Sequence, residues 1–519
     1  GATYDSSGTY SYSSSSISSS SIFSQLGQDI DGEAAGDLSG SCVSLSSDGN
    51  TLAIGAHSND GNGNSSGHVR IYNWNGTSWI QVGQDIDGEA SDDYSSGYSQ
   101  GMSLSSDGNT VAIGALNNDG NGSKSGHVRI YNWDGSAWTQ IGQDIDGEAY
   151  EDRSGQYVSL SSDGNTVAIG AQYNDGNGNN SGHVRIYNYN GVSWNQLGND
   201  IDGEAGGDLS GSVSLSSNGN TLAIGAEYNS GNGNQSGHVR VYNWDGNSWN
   251  QVGQDIDGAG QYDLMGFSVS LSSDGNIVAI GGRESEFGTN YMSGHVKIYS
   301  YNGSSWNQLG QDLWGDTCFS FFGQSVSLSS DGDILAVGAY ADGLIKSDCN
   351  GMNGSEEGLT RIYSYDGNFW NPIQDIYGEA PNDYSGVSVS LSSDGNKVAI
   401  GAQNNDGNGN NSGHARVYNL PTLINTSGCD STAVLNLVIH PSGCTDTNAF
   451  NYNTNALCDN GSCIAVALGC TDTLAFNYDA NANTDDGSCI ATVYGCIDST
   501  MLNYNSSANV DDGSCIPYV

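Results

Sequence analysis

The chain has 519 residues, of which 58 are Asp or Glu and 12 are Lys or Arg, so its formal net charge is −46. Such a charge repels nucleic acid and anionic membranes, and it keeps a secreted protein soluble where salt screens self-repulsion. The longest apolar stretches, 433–439 and 464–468, are far too short to cross a membrane, and no signal peptide is visible. We therefore expect an extracellular chain with no nucleic-acid partner and no membrane insertion, trimmed or mature at residue 1.

Residues 1–20 are rich in Ser and Tyr. Polar termini of this kind are ordered only when something holds them. We predict that this segment is a β segment that pairs with its own chain or with a neighbouring one. Its candidate assembly residues are Tyr4, Tyr10 and Tyr12.

One sequence unit then repeats through residues 21–420. A Gly-His-Val-Arg-Ile-Tyr motif or a close variant opens at Gly67, Gly126, Gly182, Gly237, Gly294, Gly358 and Gly413. Each copy follows a Ser-Leu-Ser-Ser-Asp-Gly-Asn stretch or a close variant, and these stretches lie 55 to 63 residues apart. A near-constant period of this size indicates a single supersecondary unit, present seven times.

The unit that begins at Gly211 predicts four short antiparallel strands. An alternating stretch at 212–215 leads through an Asn-Gly turn into the apolar run 221–226. A polar loop, a strand at 237–243, an Asp-Gly turn and a strand from Trp249 to about Asp255 complete the unit. Seven such units predict an all-β chain that contains a seven-bladed β-propeller.

The two ends of the repeat region predict how the ring closes. Six repeats end in an outer strand that begins with Trp79, Trp138, Trp194, Trp249, Trp306 and Trp370, but the seventh stops at Asn419. Residues 21–30 match the missing strand, with Phe23 at the tryptophan position. The N-terminal strand is therefore predicted to complete the last blade, which removes an open sheet edge.

The order of these motifs resembles the FG-GAP propellers of integrin α chains and bacterial surface proteins. The resemblance covers roughly residues 21–419 and implies a fold rather than a specific function. One feature departs from that family: its Asp-x-Asp-x-Asp-Gly calcium loop is only Asp-Gly-Asn here. That metal site is expected to be absent.

Two sets of polar loops are predicted on one propeller face, namely the blade-to-blade loops and the loops between the second and third strands. In the latter, Asp60, Asn62 and Asn64 alternate like the start of a calcium loop, although such residues also make tight turns. The repeated histidines, among them His68 and His127, are predicted to form inter-blade hydrogen bonds or ion pairs rather than a metal ring.

Residues 421–442 are predicted to be a β segment, with Val434, Leu435 and Leu437 as candidate assembly residues. Residues 2–12 and 426–439 resemble the two halves of a β-sandwich repeat found in very large secreted bacterial adhesins. The halves could pair within one chain or between chains, and pairing between chains would give a head-to-tail filament.

Residues 443–519 contain three cysteine units that are too small to build a core, which predicts disulfides and an oxidising setting. The expected pairs are Cys444–Cys463, Cys470–Cys489, Cys496–Cys515, Cys429–Cys458 and Cys318–Cys349, which leaves Cys42 as a buried thiol. No Lys or Arg follows Arg416, so the acidic loops here suit Ca²⁺ as well as a solvated surface, with Asp485, Asp486, Asp511 and Asp512 as candidate ligands.

Several positions are candidates for glycosylation. The Asn-x-Ser/Thr sequons are at Asn64, Asn75, Asn121, Asn179, Asn234, Asn302, Asn353, Asn410, Asn425, Asn460 and Asn505. The motifs at Ser431, Thr473 and Ser499 resemble acceptors for bacterial O-glycosylation.

No carboxylate pair, activated nucleophile or arginine cluster breaks the repeat, so no enzymatic activity is expected. The sequence favours a structural subunit of a bacterial surface fibre, assembled with itself head to tail through its ends. The alternative is a monomeric cell-surface adhesin whose acidic propeller face binds a glycan or a surface protein through Ca²⁺. No organic cofactor is expected.

Overall fold

A computed structural model describes residues 23–97, 100–285, 292–342, 356–420, 446–451 and 462–519, together with the short strands Thr3–Tyr4, Tyr10–Ser11, Ser442–Gly443 and Cys458–Asp459. These residues contain β-strands and no α-helix, so the predicted all-β class is confirmed. A search of the same residues for a helix able to cross a membrane found none. The chain divides into two compact units, residues 1–432 and 433–519.

Seven blades make up the described part of the first unit, as predicted. The first and innermost strands are Ser39–Leu45, Met102–Leu104, Tyr157–Leu160, Ser210–Leu215, Met265–Leu271, Ser325–Leu328 and Ser385–Leu391. The second strands are Thr51–Ala56, Thr110–Ala115, Thr166–Ala171, Thr221–Ala226, Ile277–Gly282, Ile334–Ala339 and Lys397–Ala402. The third strands are His68–Trp74, His127–Trp133, His183–Tyr189, His238–Trp244, His295–Tyr301, Leu359–Tyr365 and His414–Asn419.

The outer strand differs from the single continuous strand that the sequence predicted. It is split into two pieces in blades one to five, namely Trp79–Gln81 and Ile86–Asp87, Trp138–Gln140 and Ile145–Asp146, Trp194–Gln196 and Ile201–Asp202, Trp249–Gln251 and Ile256–Asp257, and Trp306–Gln308 and Leu313–Trp314. The break contains a glycine with positive φ, such as Gly253 at +75°. Blade six lacks this glycine, and its outer strand Trp370–Tyr377 is continuous.

The N-terminal strand closes the ring as predicted. Ser24–Gln25 pairs with the end of the third strand of blade seven, so that Ser24 lies opposite Asn419 and Gln25 opposite Tyr418. Ile30–Asp31 pairs with the start of the same strand. Blade seven is therefore built from both ends of the repeat region.

Two closed circles of hydrogen bonds run around the ring. In the first, each backbone N–H donates to the carbonyl of the next blade at 2.8–2.9 Å, in the order Ser47, Ser106, Ser162, Ser217, Ser273, Ser330, Ser393 and back to Ser47. In the second, the inner-strand leucine N–H of each blade donates to a serine Oγ of the preceding blade at 3.0 Å, as Leu104 does to Ser44 and Leu45 does to Ser390. Both circles have seven members, which fixes the blade number.

The hydrophobic core lies between neighbouring blades. It consists of seven separate clusters, one for each blade-to-blade interface. In the cluster between blades one and two, Val69 and Ile71 pack against Val111, Ile113 and Trp138. Six outer-strand tryptophans also donate their Nε1–H to the preceding blade at 2.8–3.0 Å, as Trp79 does to the carbonyl of Leu26. Repetition of one small interface therefore stabilises the whole ring.

The second unit contains the cysteine repeats. The predicted disulfides Cys470–Cys489 and Cys496–Cys515 are confirmed. In each repeat an asparagine side chain bridges the two halves: Asn477 accepts from Ile490 N–H at 2.7 Å and donates to Ser488 O at 2.8 Å. Asn451 and Asn503 make the same pair of bonds in the other two repeats.

The remaining cysteines are only partly described. Cys318 and Cys463 are disulfide-bonded. Their predicted partners Cys349 and Cys444 lie outside the described residues, as does Cys429, so these pairings stay predictions. Cys42 is a buried free thiol, as expected, and burial raises its pKa to about 12.

Candidate functional site

An axial pocket of about 470 Å³ opens at the end of the propeller where the first strands begin and the second strands end. Its walls come from blades two to seven, so it lies on the propeller axis. The lining residues are Gln100, Gln156, Tyr157, Gln172, Tyr173, Leu209, Glu227, Tyr228, Phe267, Arg283, Gln324, Tyr340, Tyr384, Val387 and Gln403.

The pocket walls use the positions at which the seven repeats differ. The second strand ends in Ala-Ile-Gly-Ala in five blades and in a close variant in the other two. The next residue has six identities in seven blades: His57, Leu116, Gln172, Glu227, Arg283, Tyr340 and Gln403. Five of these seven residues line the pocket. A repeated scaffold thus carries a non-repeated site.

A second variable position is conformationally special. One residue in the loop before each inner strand has a left-handed backbone with φ between 48° and 57°, although none is glycine: Leu38, Tyr94, Arg153, Leu209, Leu264, Phe321 and Tyr384. Such residues cost free energy and concentrate at binding and catalytic sites. Leu209 and Tyr384 line the pocket directly. Phe321 stacks on Tyr340 with ring centroids 5.3 Å apart.

The opposite end of the axis is uniform. It is a smaller cavity of about 160 Å³, lined by the same leucine and serine in every blade, such as Leu45 with Ser47 and Leu104 with Ser106. These serines form the first backbone circle described above. Repeated backbone contacts between blades occupy this end, and such contacts do not account for the mixture of side chains around the axial pocket.

Two ionisable groups of opposite sign line the axial pocket. Glu227 is only 6% exposed and its Oε2 has no hydrogen-bond partner in the protein. Burial raises the pKa of Glu227 to about 7, while nearby Arg283 acts in the opposite direction. Arg283 stacks its guanidinium 4.0 Å from the centroid of the Phe267 ring, and its Nε lies 3.8 Å from Oε1 of Glu284.

Amide and phenol groups provide most of the other polar atoms of the pocket. The Oε1 atoms of Gln156 and Gln324 are buried and have no hydrogen-bond partner in the protein. Tyr340 is held between Phe321 and Tyr384, with both ring centroids 5.3 Å away. Burial raises the pKa of Tyr157, so its hydroxyl stays protonated. The pocket can therefore donate and accept hydrogen bonds beside rigid aromatic rings.

A second set of polar residues lies between blades. His68 Nδ1 is 3.9 Å from Glu33 Oε2 and 4.0 Å from Asp85 Oδ2, and Arg70 Nη1 is 3.8 Å from Glu33 Oε1. Arg70 also donates to the carbonyl of Asp31 in blade seven at 2.7 Å. Among the described residues, His127, His183, His238 and His414 form matching groups with two carboxylates each.

In blade five, two charged residues of this group are replaced. The glutamate of the preceding loop is replaced by Ala259 there, the arginine is replaced by Lys297, and Lys297 instead lies 3.7 Å from Asp312 Oδ2. In blade five the arginine and the glutamate are therefore both replaced, as expected if the two residues form an ion pair between blades in the other repeats. Burial lowers the pKa of His68 to about 4, helped by Arg70, so the imidazole is neutral near pH 7. The arginine contacts join neighbouring blades, whereas the histidine Nδ1 atoms lie 3.7–4.0 Å from the carboxylates, so the hydrogen bonds or ion pairs expected of the histidines stay a prediction.

The candidate calcium residues of the propeller loop are used in turns. Ser65 N–H donates to Asp60 Oδ1 at 2.8 Å, and the Asn62 amide donates to the carbonyl of Gly88 at 2.8 Å. The Asn64 amide donates to Asp92 Oδ1 at 3.1 Å. The contact between Asn62 and Gly88 joins the two loop sets and confirms that they share a face. Calcium binding here stays a prediction.

The acidic candidates of the second unit lie on exposed turns. Asp485, Asp486, Asp511 and Asp512 each accept a hydrogen bond from a backbone N–H two residues later, at 2.9–3.0 Å. Hydrogen bonds from Ser488 lower the pKa of Asp486. Calcium binding stays a prediction here as well.

The described glycosylation candidates are all exposed: Asn64, Asn75, Asn121, Asn179, Asn234, Asn302, Asn410, Asn505, Thr473 and Ser499. Asn353, Asn425, Asn460 and Ser431 lie outside the described residues. Among the assembly candidates, Tyr4 and Tyr10 lie opposite each other in a two-stranded antiparallel sheet. Tyr12, Val434, Leu435 and Leu437 lie outside the described residues.

Sequence reasoning overlooked the axial pocket because it treated the repeat as uniform. Glu227 and Arg283 are the only charged residues at the position after the second strand, and they occur in consecutive blades. A column-by-column comparison of the seven repeats would have found both. That they enter one pocket follows only from the closed ring.

Comparison with known proteins gives a local match. A family model described as "FG-GAP repeat" matches residues 378–418, which span most of blade seven. No curated protein matches the chain in sequence. One similar solved structure is Kuenenia stuttgartiensis hydrazine synthase, with 13% identity, a TM-score of 0.45, and coverage of 72% of this chain and 94% of that one. The FG-GAP match and the disulfides are compatible with an extracellular protein.

Proposed function

We propose that this protein is a non-enzymatic structural subunit of an extracellular fibre that assembles head to tail through its terminal segments. The observation that carries the proposal is the pairing of Ser24 with Asn419 and of Gln25 with Tyr418. The chain therefore enters and leaves the propeller at neighbouring positions on blade seven.

The propeller needs nothing before Phe23 to complete its seven blades. Strands Ser24–Gln25 and Ile30–Asp31 already supply the outer strand of blade seven. The preceding β segment can thus be given to another copy without opening the ring. Strand addition provides main-chain hydrogen bonds, and a contact between two different surfaces of the same chain continues into a filament when its rotation does not close.

The axial pocket differs from the site of a typical glycosidase. Hydrolysis of a glycosidic bond generally uses two carboxyl groups that flank the scissile bond. Among the described residues that line the pocket, Glu227 is the single carboxylate. Its neighbour Arg283 offers charge and hydrogen bonds but no general base.

Deletion of residues 1–20 tests the fibre. We expect the shortened chain to remain a folded monomer with the tryptophan fluorescence of the intact propeller, and to form no fibres in electron micrographs. The matched control removes residues 496–519, which lie at the other end of the chain, and should keep the fibres. Fibres of normal length from the chain without residues 1–20 would refute strand donation.

The axial pocket favours a second candidate function, that of a monomeric surface adhesin that binds through this propeller face. The loops on the same face carry the predicted calcium residues Asp60, Asn62 and Asn64. If this adhesin depends on calcium, chelation abolishes its binding to glycan or protein and added Ca²⁺ restores it. Binding that is unchanged by chelation would leave the face without a calcium role.

A further inference from the structure

We propose that the axial pocket binds an uncharged carbohydrate unit, presented as the end of a glycan. This inference deepens the adhesin candidate and is independent of fibre formation. It rests on the chemistry of the lining residues, on their charge balance and on the dimensions of the pocket.

The position of the pocket argues for selection of a ligand. Its walls contain residues from positions at which the seven repeats differ. The cavity at the other end of the axis is lined by leucine and serine in every blade. Three residues with a left-handed backbone, Leu209, Phe321 and Tyr384, lie in or directly behind the wall. Because the same left-handed position occurs in all seven blades, the side chain varies around the ring and the backbone conformation does not.

The polar groups of the pocket match hydroxyl groups. Ten of the lining residues are glutamine or tyrosine, whose side chains can both donate and accept hydrogen bonds: Gln100, Gln156, Gln172, Gln324 and Gln403, and Tyr157, Tyr173, Tyr228, Tyr340 and Tyr384. A sugar hydroxyl likewise donates one bond and accepts others. A phosphate or carboxylate ligand would use only the donors of this set, and an ammonium ligand only its acceptors.

The charge of the pocket disfavours strongly charged ligands. Among the described lining residues, Glu227 is the one carboxylate and Arg283 the one guanidinium. Glu227, with a pKa of about 7, is ionised only in part at neutral pH, and Arg283 also lies 3.8 Å from Glu284. The chain as a whole carries a formal charge of −46, which repels anionic ligands. Cationic ligands would meet Arg283 beside Glu227.

The aromatic rings supply apolar faces for the C–H groups of a pyranose. Tyr340 is fixed by Phe321 and Tyr384, and Phe267 is backed by Arg283. Guanidinium stacking also fixes Tyr173, whose ring centroid lies 4.6 Å from Cζ of Arg153. Rigid rings bind with a small loss of side-chain entropy.

The volume of about 470 Å³ limits how much of a glycan can enter. Ligand pockets span roughly 300–1,000 Å³, so this one lies in the lower half of the range. A pocket on the axis of a closed ring has one wide approach from its own face. One sugar residue or a short terminus therefore fits better than the middle of a polymer.

The test uses the full-length protein and ligand-observed NMR, followed by calorimetry. The probes are glucose, galactose, mannose, fucose, N-acetylglucosamine and N-acetylgalactosamine, with glucuronic acid, sialic acid and glucosamine as charged controls. We expect saturable binding of at least one neutral sugar and binding of the charged sugars that is at least about tenfold weaker.

Two pocket variants and one control locate the site. Tyr228→Ala removes a half-buried ring from the wall, and Gln403→Met removes an amide at nearly constant size. Each should weaken neutral-sugar binding by about tenfold or more. Tyr150→Ala changes an exposed tyrosine on the same face outside the pocket and should leave affinity unchanged. The second variant decides the result if Tyr228→Ala fails to fold.

Three outcomes would overturn the inference. They are no saturable binding by any neutral sugar, equal or stronger binding of the charged sugars, and neutral-sugar binding that both pocket variants retain. Deletion of residues 1–20 should not alter sugar affinity. A failure of the fibre proposal and a failure of this inference therefore give different results.

Discussion

The rings of Phe23 and Tyr418 stack with centroids 5.4 Å apart and an interplanar angle of 5°. They come from opposite ends of the repeat region and meet in blade seven, where Gln25 pairs with Tyr418. Phe23 occupies the place that tryptophan holds in the six other blades, and it has no indole N–H to donate to the preceding blade. This contact joins the beginning of the propeller to its end.

Truncating Phe23 should weaken the ring at this point. Phe23→Ala removes the stacked ring and its packing against the core between blades six and seven. Because Phe23 is only partly buried, we expect a loss of about 2–3 kcal/mol in the free energy of unfolding, measured by urea denaturation. Phe369→Ala changes a phenylalanine that is 59% exposed and should cost much less. Equal effects of the two substitutions would mean that Phe23 does not hold the ring closed.

Buried histidines predict that the propeller is sensitive to acid. Burial lowers the pKa of His57, His127 and His183 to about 4 in the folded protein, against about 6.5 in the unfolded chain. The unfolded chain therefore binds more protons between these values, and the free energy of unfolding falls as the pH drops below about 6.5. Each of these histidines should lower the free energy of unfolding by about 1 kcal/mol at pH 5.5 relative to pH 7.5.

Urea denaturation at several pH values measures this effect. Carboxyl groups with raised pKa values, such as Asp31, Glu33 and Glu227, act in the opposite direction, and Glu227, with a pKa of about 7, does so within this interval. In the His57→Gln variant, the decrease in the free energy of unfolding between pH 7.5 and pH 5.5 should be smaller by about 1 kcal/mol, the contribution of one histidine. A stability that is constant or rises over this interval would contradict the assigned protonation states.

Glu227 has the opposite pH dependence. Its folded pKa is raised to about 7, so the carboxyl costs no stability below about pH 4.5 and destabilises the fold as the pH rises through 7. Glu227→Gln should therefore stabilise the protein at pH 8, on the order of 2–3 kcal/mol, and change little at pH 5. Glu151→Gln, an exposed change on the same face, is the control. A stabilisation of Glu227→Gln that is the same at both pH values would show that the carboxyl is not titrating near 7.

The disulfides of the second unit should stabilise their own repeats and not the propeller. Removing Cys470–Cys489 by a double substitution to serine should destabilise its repeat by about 3 kcal/mol and expose it to proteases. All 10 tryptophans lie between Trp74 and Trp370, so their fluorescence reports on the propeller alone. It should not change in the double variant. If the unfolding transition of the propeller, followed by tryptophan fluorescence, shifted in the double variant, the two units would unfold together.

Repetition explains which features the sequence could predict. Blade number, strand order and closure by the segment around Phe23 follow from seven copies of one pattern, each with its own turn and strand signals. The broken outer strand was missed because a single positive-φ glycine such as Gly253 decides it. In blade five, Ala259 replaces the glutamate and Lys297 replaces the arginine, so a joint change at two repeat positions points to the ion pair that the other blades form.

The axial pocket could not be assembled from sequence alone. Glu227, Arg283 and Tyr340 are separated by more than fifty residues each, and only ring closure brings them to one axis. Their chemistry also depends on burial, since an exposed Glu227 would have an ordinary pKa. Differences between repeats are therefore as informative as their agreement.

Electron microscopy of the intact chain tests the central claim most directly. We expect fibres in which each subunit contributes one seven-bladed ring, with residues 1–20 of one copy as a strand beside residues 421–442 of the next. Discrete particles of 54.0 kDa at every concentration, with both terminal segments paired within the same chain, would contradict it.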